Sequence, residues 1–228
     1  MRLKMRRQLT EEERRLEVTV PELAAARGWG GIFGHRGPIH LEVGIGKDTH
    51  ILDRAAADPQ GLFVGLEYSR KKLNKVLSKA ARREGLGNLR VMLADATRIL
   101  DPLFRDASLC AVYVLFPDPW PKKRHRRKRL IQEGFVRQLA AKMMPGAELE
   151  VRTDDADYLQ QMVAVLEKEP LLVNHLGSEH FLLEPQDEER HIPTLFEIKF
   201  RNTGRPIYYL YYRKEGVSSG VSGRELRS

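Results

Sequence analysis

One stretch of the chain gathers groups that could do chemistry together: Phe116-Pro117-Asp118-Pro119-Trp120-Pro121, followed by a cationic run. Asp118 lies between two prolines. Each proline fixes its own φ and restricts the residue before it, so a stiff backbone aims the carboxylate. The indole of Trp120 can stack on a flat ligand. Residues 122 to 129 hold seven Lys or Arg, one His and no acid. Such a set suits a polyanion that carries a flat base. Each part has a plainer use alone, since basic runs are often solvated faces and Asp beside proline is a common turn former. The stretch follows Leu109 to Leu115, an unbroken apolar run that reads as a buried strand. Ligands of open α/β sheets bind just beyond the carboxyl ends of strands.

Three earlier strands also bring acids to their ends. Pro38 to Val43 reads as a first strand holding Glu42 and running into Gly44-Ile45-Gly46-Lys47-Asp48. Leu62 to Leu66 is a second, ending in Glu67, and Leu89 to Leu93 a third, ending Ala94-Asp95-Ala96. A glycine turn through Gly44 and Gly46 lets backbone approach a ligand. An acid after the second strand can accept from ribose hydroxyls, and one after the third from an exocyclic amine. Singly these are helix caps or surface acids; in register they form a nucleoside site. The ligand is a dinucleotide or S-adenosylmethionine. The glycine turn lacks the last glycine of G-x-G-x-x-G, and Glu42 would repel a pyrophosphate. The sulfonium and amine of S-adenosylmethionine are cationic, so charge favours that cofactor, with Glu42, Gly44, Gly46, Glu67 and Asp95 around it.

These residues need a frame that ends several strands on one side. Apolar strands alternate with helix-spaced stripes: Leu73, Val76, Leu77, Ala80 and Ala81; Leu130, Ile131, Phe135, Leu139 and Met143; Tyr158, Leu159, Met162, Val163 and Leu166. Alternation of this kind predicts a doubly wound, mostly parallel α/β sheet with helices on both faces. Ala147 to Val151 supplies a fifth strand, and Leu171 to Leu176 and Ile207 to Arg213 the last ones. Residues 1–36 read as an appended arm with a glycine-rich linker at 28–34, residues 37–215 as the main domain, and 216–228 as a flexible tail.

Composition bounds the rest. The 228 residues carry a net charge of +8 and one cysteine, which excludes a disulfide framework. Residues 122 to 129 alone account for seven charges, so the excess is concentrated and favours a binding patch. No apolar run is long enough to span a membrane, and the N-terminus lacks a signal-peptide core, so a cytoplasmic protein is expected. The His residues are scattered, which predicts no metal site.

Taken in order, Leu41-Glu42-Val43-Gly44-Ile45-Gly46, Glu67, Asp95-Ala96, Phe116 to Lys122, Thr153-Asp154 and Thr194-Leu195-Phe196-Glu197 resemble the bacterial tRNA (guanine-N(7)-)-methyltransferase family over about residues 29 to 213. The FPDPWPK element is the specific part of the match. The resemblance implies a class I, Rossmann-like methyltransferase fold that uses S-adenosylmethionine on a guanosine in the tRNA variable loop. Carried over by position, Asp118 would be catalytic and, with Glu42, Glu67 and Asp95, would line the cofactor site. Lys122, Asp154, Thr194, Phe196 and Glu197 would contact substrate. Arg124, His125, Arg126, Arg127, Lys128 and Arg129 would face the RNA. Asp48 stands where the family usually has glycine, and Leu195 where it usually has lysine.

Ring nitrogen 7 of guanine bears a lone pair and no proton, so methylation there needs positioning rather than a base. The product ring is cationic, and a rigid Asp118 would favour that developing charge. A methyltransferase for protein or small molecules is a rival reading, disfavoured by the basic run. A non-catalytic RNA-binding module is another, supported only by Asp48. Oligomeric state is undetermined.

Overall fold

The computed structural model describes residues 9–216. Its sheet is built on strands too apolar to face water. β2 (Leu62–Glu67) is buried at every position, and β1 (Ile39–Val43) and β4 (Leu109–Leu115) nearly so. Strands of this kind need cover on both faces, which crossover helices supply. With β3 (Leu89–Leu93), β5 (Met143–Thr153), β6 (Leu172–Asn174) and β7 (Tyr208–Lys214), they form a seven-stranded sheet of order β3-β2-β1-β4-β5-β7-β6. β1 to β5 run parallel, while β7 enters antiparallel between β5 and β6. The expected doubly wound, mostly parallel sheet is present.

Side chains alternate across a strand, and the core splits accordingly. Phe63 joins Leu73, Val76 and Leu77 of α5 (Arg70–Ala80) and Ile51 and Leu52 of α4 (His50–Ala57) on one face. Val64 and Leu66 join the other face, beneath α6 (Ala96–Leu103), α7 (Glu133–Lys142) and α8 (Ala156–Leu166). The last helix among the described residues is α9 (Leu195–Asn202). The stripe expected to run to Met143 stops at Lys142, because Met143 already pairs with Leu109 in the sheet.

The segment read as an appended arm is built into the domain. α1 (Glu11–Arg14) and α2 (Val20–Ala25) are each closed by a capping box, from Thr10 and Thr19. Between them the chain lies beside β3, with Val18 N–H donating to the Val91 carbonyl at 2.9 Å and Val91 N–H to that of Leu16 at 2.8 Å. The glycine-rich "linker" is α3 (Trp29–Phe33), and Trp29 is buried with its indole N–H on the Leu103 carbonyl at 2.8 Å. The flexible tail expected over 216–228 lies, beyond Gly216, outside the described residues.

Candidate active site

The order of the parallel strands reverses at β1, with β2 and β3 on one side and β4 and β5 on the other. Ligand crevices of open sheets form at such a switch point. A cavity of about 300 Å³ opens there, lined by Gly44, Glu67, Asp95, Asp118 and Trp120 among others. Four of the residues expected from the sequence to surround a nucleoside therefore converge on one space.

Gly44 and Gly46 turn the chain away from β1 with φ of +78° and +61°, a region L side chains rarely adopt. No atom lies within 4 Å of where a Gly44 side chain would begin, so backbone is laid bare to the cavity. Glu67 fixes this turn: its Oε2 accepts from Gly46 N–H at 2.9 Å and its Oε1 from Ser69 N–H at 2.7 Å. Burial raises the Glu67 carboxyl above the usual range, against those two hydrogen bonds and Lys72, while Asp118 adds a like charge. Each oxygen keeps a lone pair for a ligand hydroxyl. Asp95 caps α6, accepting from Thr97 N–H at 3.1 Å and the Thr97 hydroxyl at 2.7 Å, and is exposed.

Asp118 is exposed on a loop held at both ends in unusual backbone. Phe116 has φ +50° and Trp120 φ +43°, strained values for bulky residues that surrounding contacts must hold. The ring of Phe116 packs near Phe196 and Phe200 of α9, at 6.2 and 5.7 Å between centroids. At the other end Arg129 donates from Nε to the Pro119 carbonyl at 2.6 Å. Trp120 carries Lys128 over its ring at 4.8 Å and His125 edge-on at 5.7 Å.

Glu42 departs from the expectation. It does not line the cavity but is 2% exposed, with Oε2 at 2.7 Å from His50 Nδ1. Burial pushes its carboxyl up to about 8 and the His50 imidazole well below its usual value. Both directions favour neutral groups, so one proton lies between them. Val43 and Gly44, not Glu42, reach the cavity.

The cationic run is also not uniform. A 3₁₀ helix, Lys123–Lys128, presents Lys123, Arg124, Arg127 and Lys128 to solvent, with Lys122 exposed before it. Arg126 pairs with Asp157 Oδ1 at 2.5 Å. Arg129, expected to face RNA, is instead 2% exposed. It is a structural clamp, because Gln161 (2.9 Å) and Asp157 Oδ2 (2.6 Å) of α8 and the Tyr158 ring (4.7 Å) satisfy its guanidinium inside the fold.

Of the residues expected to meet substrate, Phe196 and Lys122 are exposed, and Asp154 is paired to Arg205 at 2.6 Å; none of the three lines the cavity. Thr194 and Glu197 are buried and hold α9. Thr194 Oγ1 accepts from Glu197 N–H at 3.0 Å as the helix cap. Glu197 meets Arg152 at 2.7 Å, His191 at 2.6 Å and the Tyr209 hydroxyl at 2.7 Å. Against burial, which raises it, His191, Arg152 and Tyr209 hold this carboxyl down at about 2. Tyr68, Lys72 and Thr97 line the cavity and were missed from the sequence; Tyr68 directly follows the strand-end acid, a position that could have marked it.

A family profile described as "Putative methyltransferase" matches residues 36–210. A tRNA (guanine-N(7)-)-methyltransferase of Alkalilimnicola ehrlichii is 40% identical over 210 residues, covering 89% of this chain and 86% of the relative. The chain belongs to the tRNA (guanine-N(7)-)-methyltransferase family. Another member, from Chromohalobacter salexigens, is 34% identical over 93% of this chain and 87% of its own length. Among solved structures, the 16S rRNA methyltransferase KamB superposes with a TM-score of 0.55 at 16% identity, covering 93% of this chain and 97% of its own, which shows a shared fold.

Proposed function

We propose that the chain transfers a methyl group from S-adenosylmethionine to ring nitrogen 7 of a guanosine in the variable loop of tRNA, forming 7-methylguanosine. One observation carries this reading: Glu67 and Asp118 share the wall of a single cavity whose adjoining surface is the exposed cations of residues 122–128. The names borne by the relatives agree with it.

The donor set fits the cofactor. Glu67 offers acceptors suited to ribose hydroxyls, Asp95 one suited to an exocyclic amine, and the bared Gly44 backbone admits the methionyl part. When bound, S-adenosylmethionine supplies an electrophilic methyl group. The protein has no proton to remove from ring nitrogen 7, so its task is alignment. Asp118 accepts from the Watson–Crick edge of guanine and offsets the positive charge the ring acquires. Phe196, exposed beside Phe116, bounds the base from the α9 side. Lys122, Arg124, Arg127 and Lys128 hold phosphates. A paired guanine in A-form RNA hides its ring nitrogen 7 in a deep, narrow groove, so the target must be a loop base or one drawn from its stack.

The purified protein is incubated with labelled S-adenosylmethionine and unmodified tRNA, and the product digested to nucleosides. Label is expected in 7-methylguanosine alone. Label in another nucleoside would refute the specificity, and no transfer to RNA would turn the reading to a protein or small-molecule substrate.

A further inference from the structure

A second cationic surface lies on α5. Residues 70 to 83 carry seven Lys or Arg and no acid. Three of these have partners in the fold: Arg70 with Glu17 at 2.5 Å, Arg83 with Asp53 at 2.5 Å, and Lys79, whose Nζ donates to the Lys47 carbonyl at 2.6 Å. Lys71, Lys75 and Arg82 are exposed and form no ion pair among the described residues. Lys71 and Lys75 stand one turn apart on the same side of the helix, and like charges so spaced repel and weaken it. Lys75 and Arg82, with Lys79, border one shallow depression of about 320 Å³.

This stripe is continuous with the site. Lys72, in the first turn of α5, lines the active-site cavity, as Lys128 does from the Pro-Asp-Pro side. Each of these lysines lies over an aromatic ring, Lys72 over Tyr68 at 5.5 Å and Lys128 over Trp120 at 4.8 Å. Cations therefore approach the cavity from two walls that belong to different strands. A nucleic-acid strand that inserts one base has phosphates on both sides of that base, and cations on a single wall would hold only one side. The eleven residues of α5 run about 16 Å at 1.5 Å per residue, enough to pass several phosphates at roughly one per 3.4 Å of strand.

We propose that Lys71, Lys75 and Arg82 form a second phosphate-binding surface for the same RNA whose base enters the cavity. The proposal rests on the RNA reading above and extends it to the α5 side of the cavity, across from the FPDPWPK loop's own cations.

The test replaces Lys71→Gln, Lys75→Gln and Arg82→Gln together in the full chain. Binding of an unmodified tRNA transcript is measured over a salt series without cofactor. The slope of log affinity against log salt should shrink by roughly 2 to 2.7, that is 0.7–0.9 for each of three contacts. Melting temperature should not fall, since the three side chains are exposed and the Lys71–Lys75 repulsion is relieved, and the calorimetric affinity for S-adenosylmethionine should match the unchanged protein, because none of the three lines the cavity. An unchanged slope overturns the proposal and leaves α5 to an acidic protein or to solvent. Methyl transfer by the unchanged protein is scored separately. Transfer to tRNA with an unchanged slope sinks this surface alone, whereas a reduced slope without any transfer sustains the surface and defeats the catalytic reading.

Discussion

The backbone N–H of Leu195 donates to Asp48 Oδ2 at 2.8 Å, joining the first turn of α9 to the loop after β1 across 147 residues of sequence. The other carboxylate oxygen, Oδ1, accepts from Thr49 and His50 N–H at 2.7 and 3.3 Å. One buried side chain thus caps the starts of two helices. A glycine at position 48, which the resemblance to the family led one to expect, could not make the bond. α9 in turn brings Phe196 and Phe200 to Phe116, where the Asp118 loop begins.

Asp48→Ala should therefore lower stability by about 1–2 kcal/mol, the scale of losing helix caps. Turnover should fall further than tRNA affinity, because α9 loses its anchor near Asp118 while the exposed cations stay. Asp48→Asn, which keeps one good acceptor, should recover part of the rate. Equal losses of rate in both variants would remove the proposed coupling.

Asp118→Asn should abolish methyl transfer and leave the fold and most tRNA affinity intact. The side chain is exposed and its loop is held by Phe116 and Arg129, not by the carboxylate. A single-turnover rate near that of the unchanged protein would take Asp118 out of the mechanism.

Glu67→Gln should weaken S-adenosylmethionine by about 1.5–3 kcal/mol, the range for hydrogen bonds to a charged group. An amide offers one acceptor oxygen where Glu67 uses two on Gly46 and Ser69. Calorimetric titration of both proteins decides it, and equal affinities would move the cofactor elsewhere.

Residues of the cationic run should separate into two classes. Arg129→Gln should cost roughly 2–3 kcal/mol of stability, since it strips charge-assisted bonds from a buried clamp. Arg124→Gln with Arg127→Gln should leave melting unchanged and reduce the salt slope of tRNA binding by roughly 0.7–0.9 per contact. Urea unfolding and salt-series binding on each protein would expose a reversed pattern.

The Glu42–His50 pair should shape stability with pH. Burial moves Glu42 from its ordinary 4.5 up to about 8 and His50 well below its ordinary 6.5, so the folded pair holds one proton. The unfolded chain holds two below 4.5, one between these ordinary values and none above 6.5. The pair's contribution is therefore greatest between those two values, and it declines on acidification below them. It also declines as pH rises from 6.5 until the folded pair releases its proton near 8. At about 1.4 kcal/mol per pH unit per proton, the loss on the basic side is about 2 kcal/mol. Glu42→Gln, whose amide does not titrate, should lack that basic-side decline in melting curves.

The strand-end acids were readable because parallel strands all finish on one side of a sheet, so Glu67, Asp95 and Asp118 had to meet. Glu42 was misplaced by one residue of parity. It stands inside β1, one position before Val43, and points under α4 instead of off the strand end. Arg129 looked like its neighbours because a charge run carries no sign of burial; its partners Asp157 and Gln161 come from a helix about thirty residues on. The α5 cations escaped notice because acids elsewhere cancel them in the net charge. Trp29 sat in a glycine-rich stretch that reads as a linker, and its partners Phe104 and Leu103, over seventy residues away, give no local sign that it is core.

The place of β7 in the sheet also orders events during synthesis. Among the described residues β6 pairs only with β7, and β7 fills the gap beside β5. A ribosome therefore delivers β6 and α9 before the strand that seats them, and Glu197 waits for the hydroxyl of Tyr209. The parallel half, complete by Thr153, can assemble while the rest is still being translated, whereas α9, which sets Phe196 and Phe200 near Phe116, is seated only after Lys214 has emerged. Nascent chains arrested before Tyr208 are expected to be cleaved readily by protease beyond β5 and to resist it within β1 to β4. The enzyme would then pass most of its birth with a formed nucleoside crevice and no means of closing it on a base.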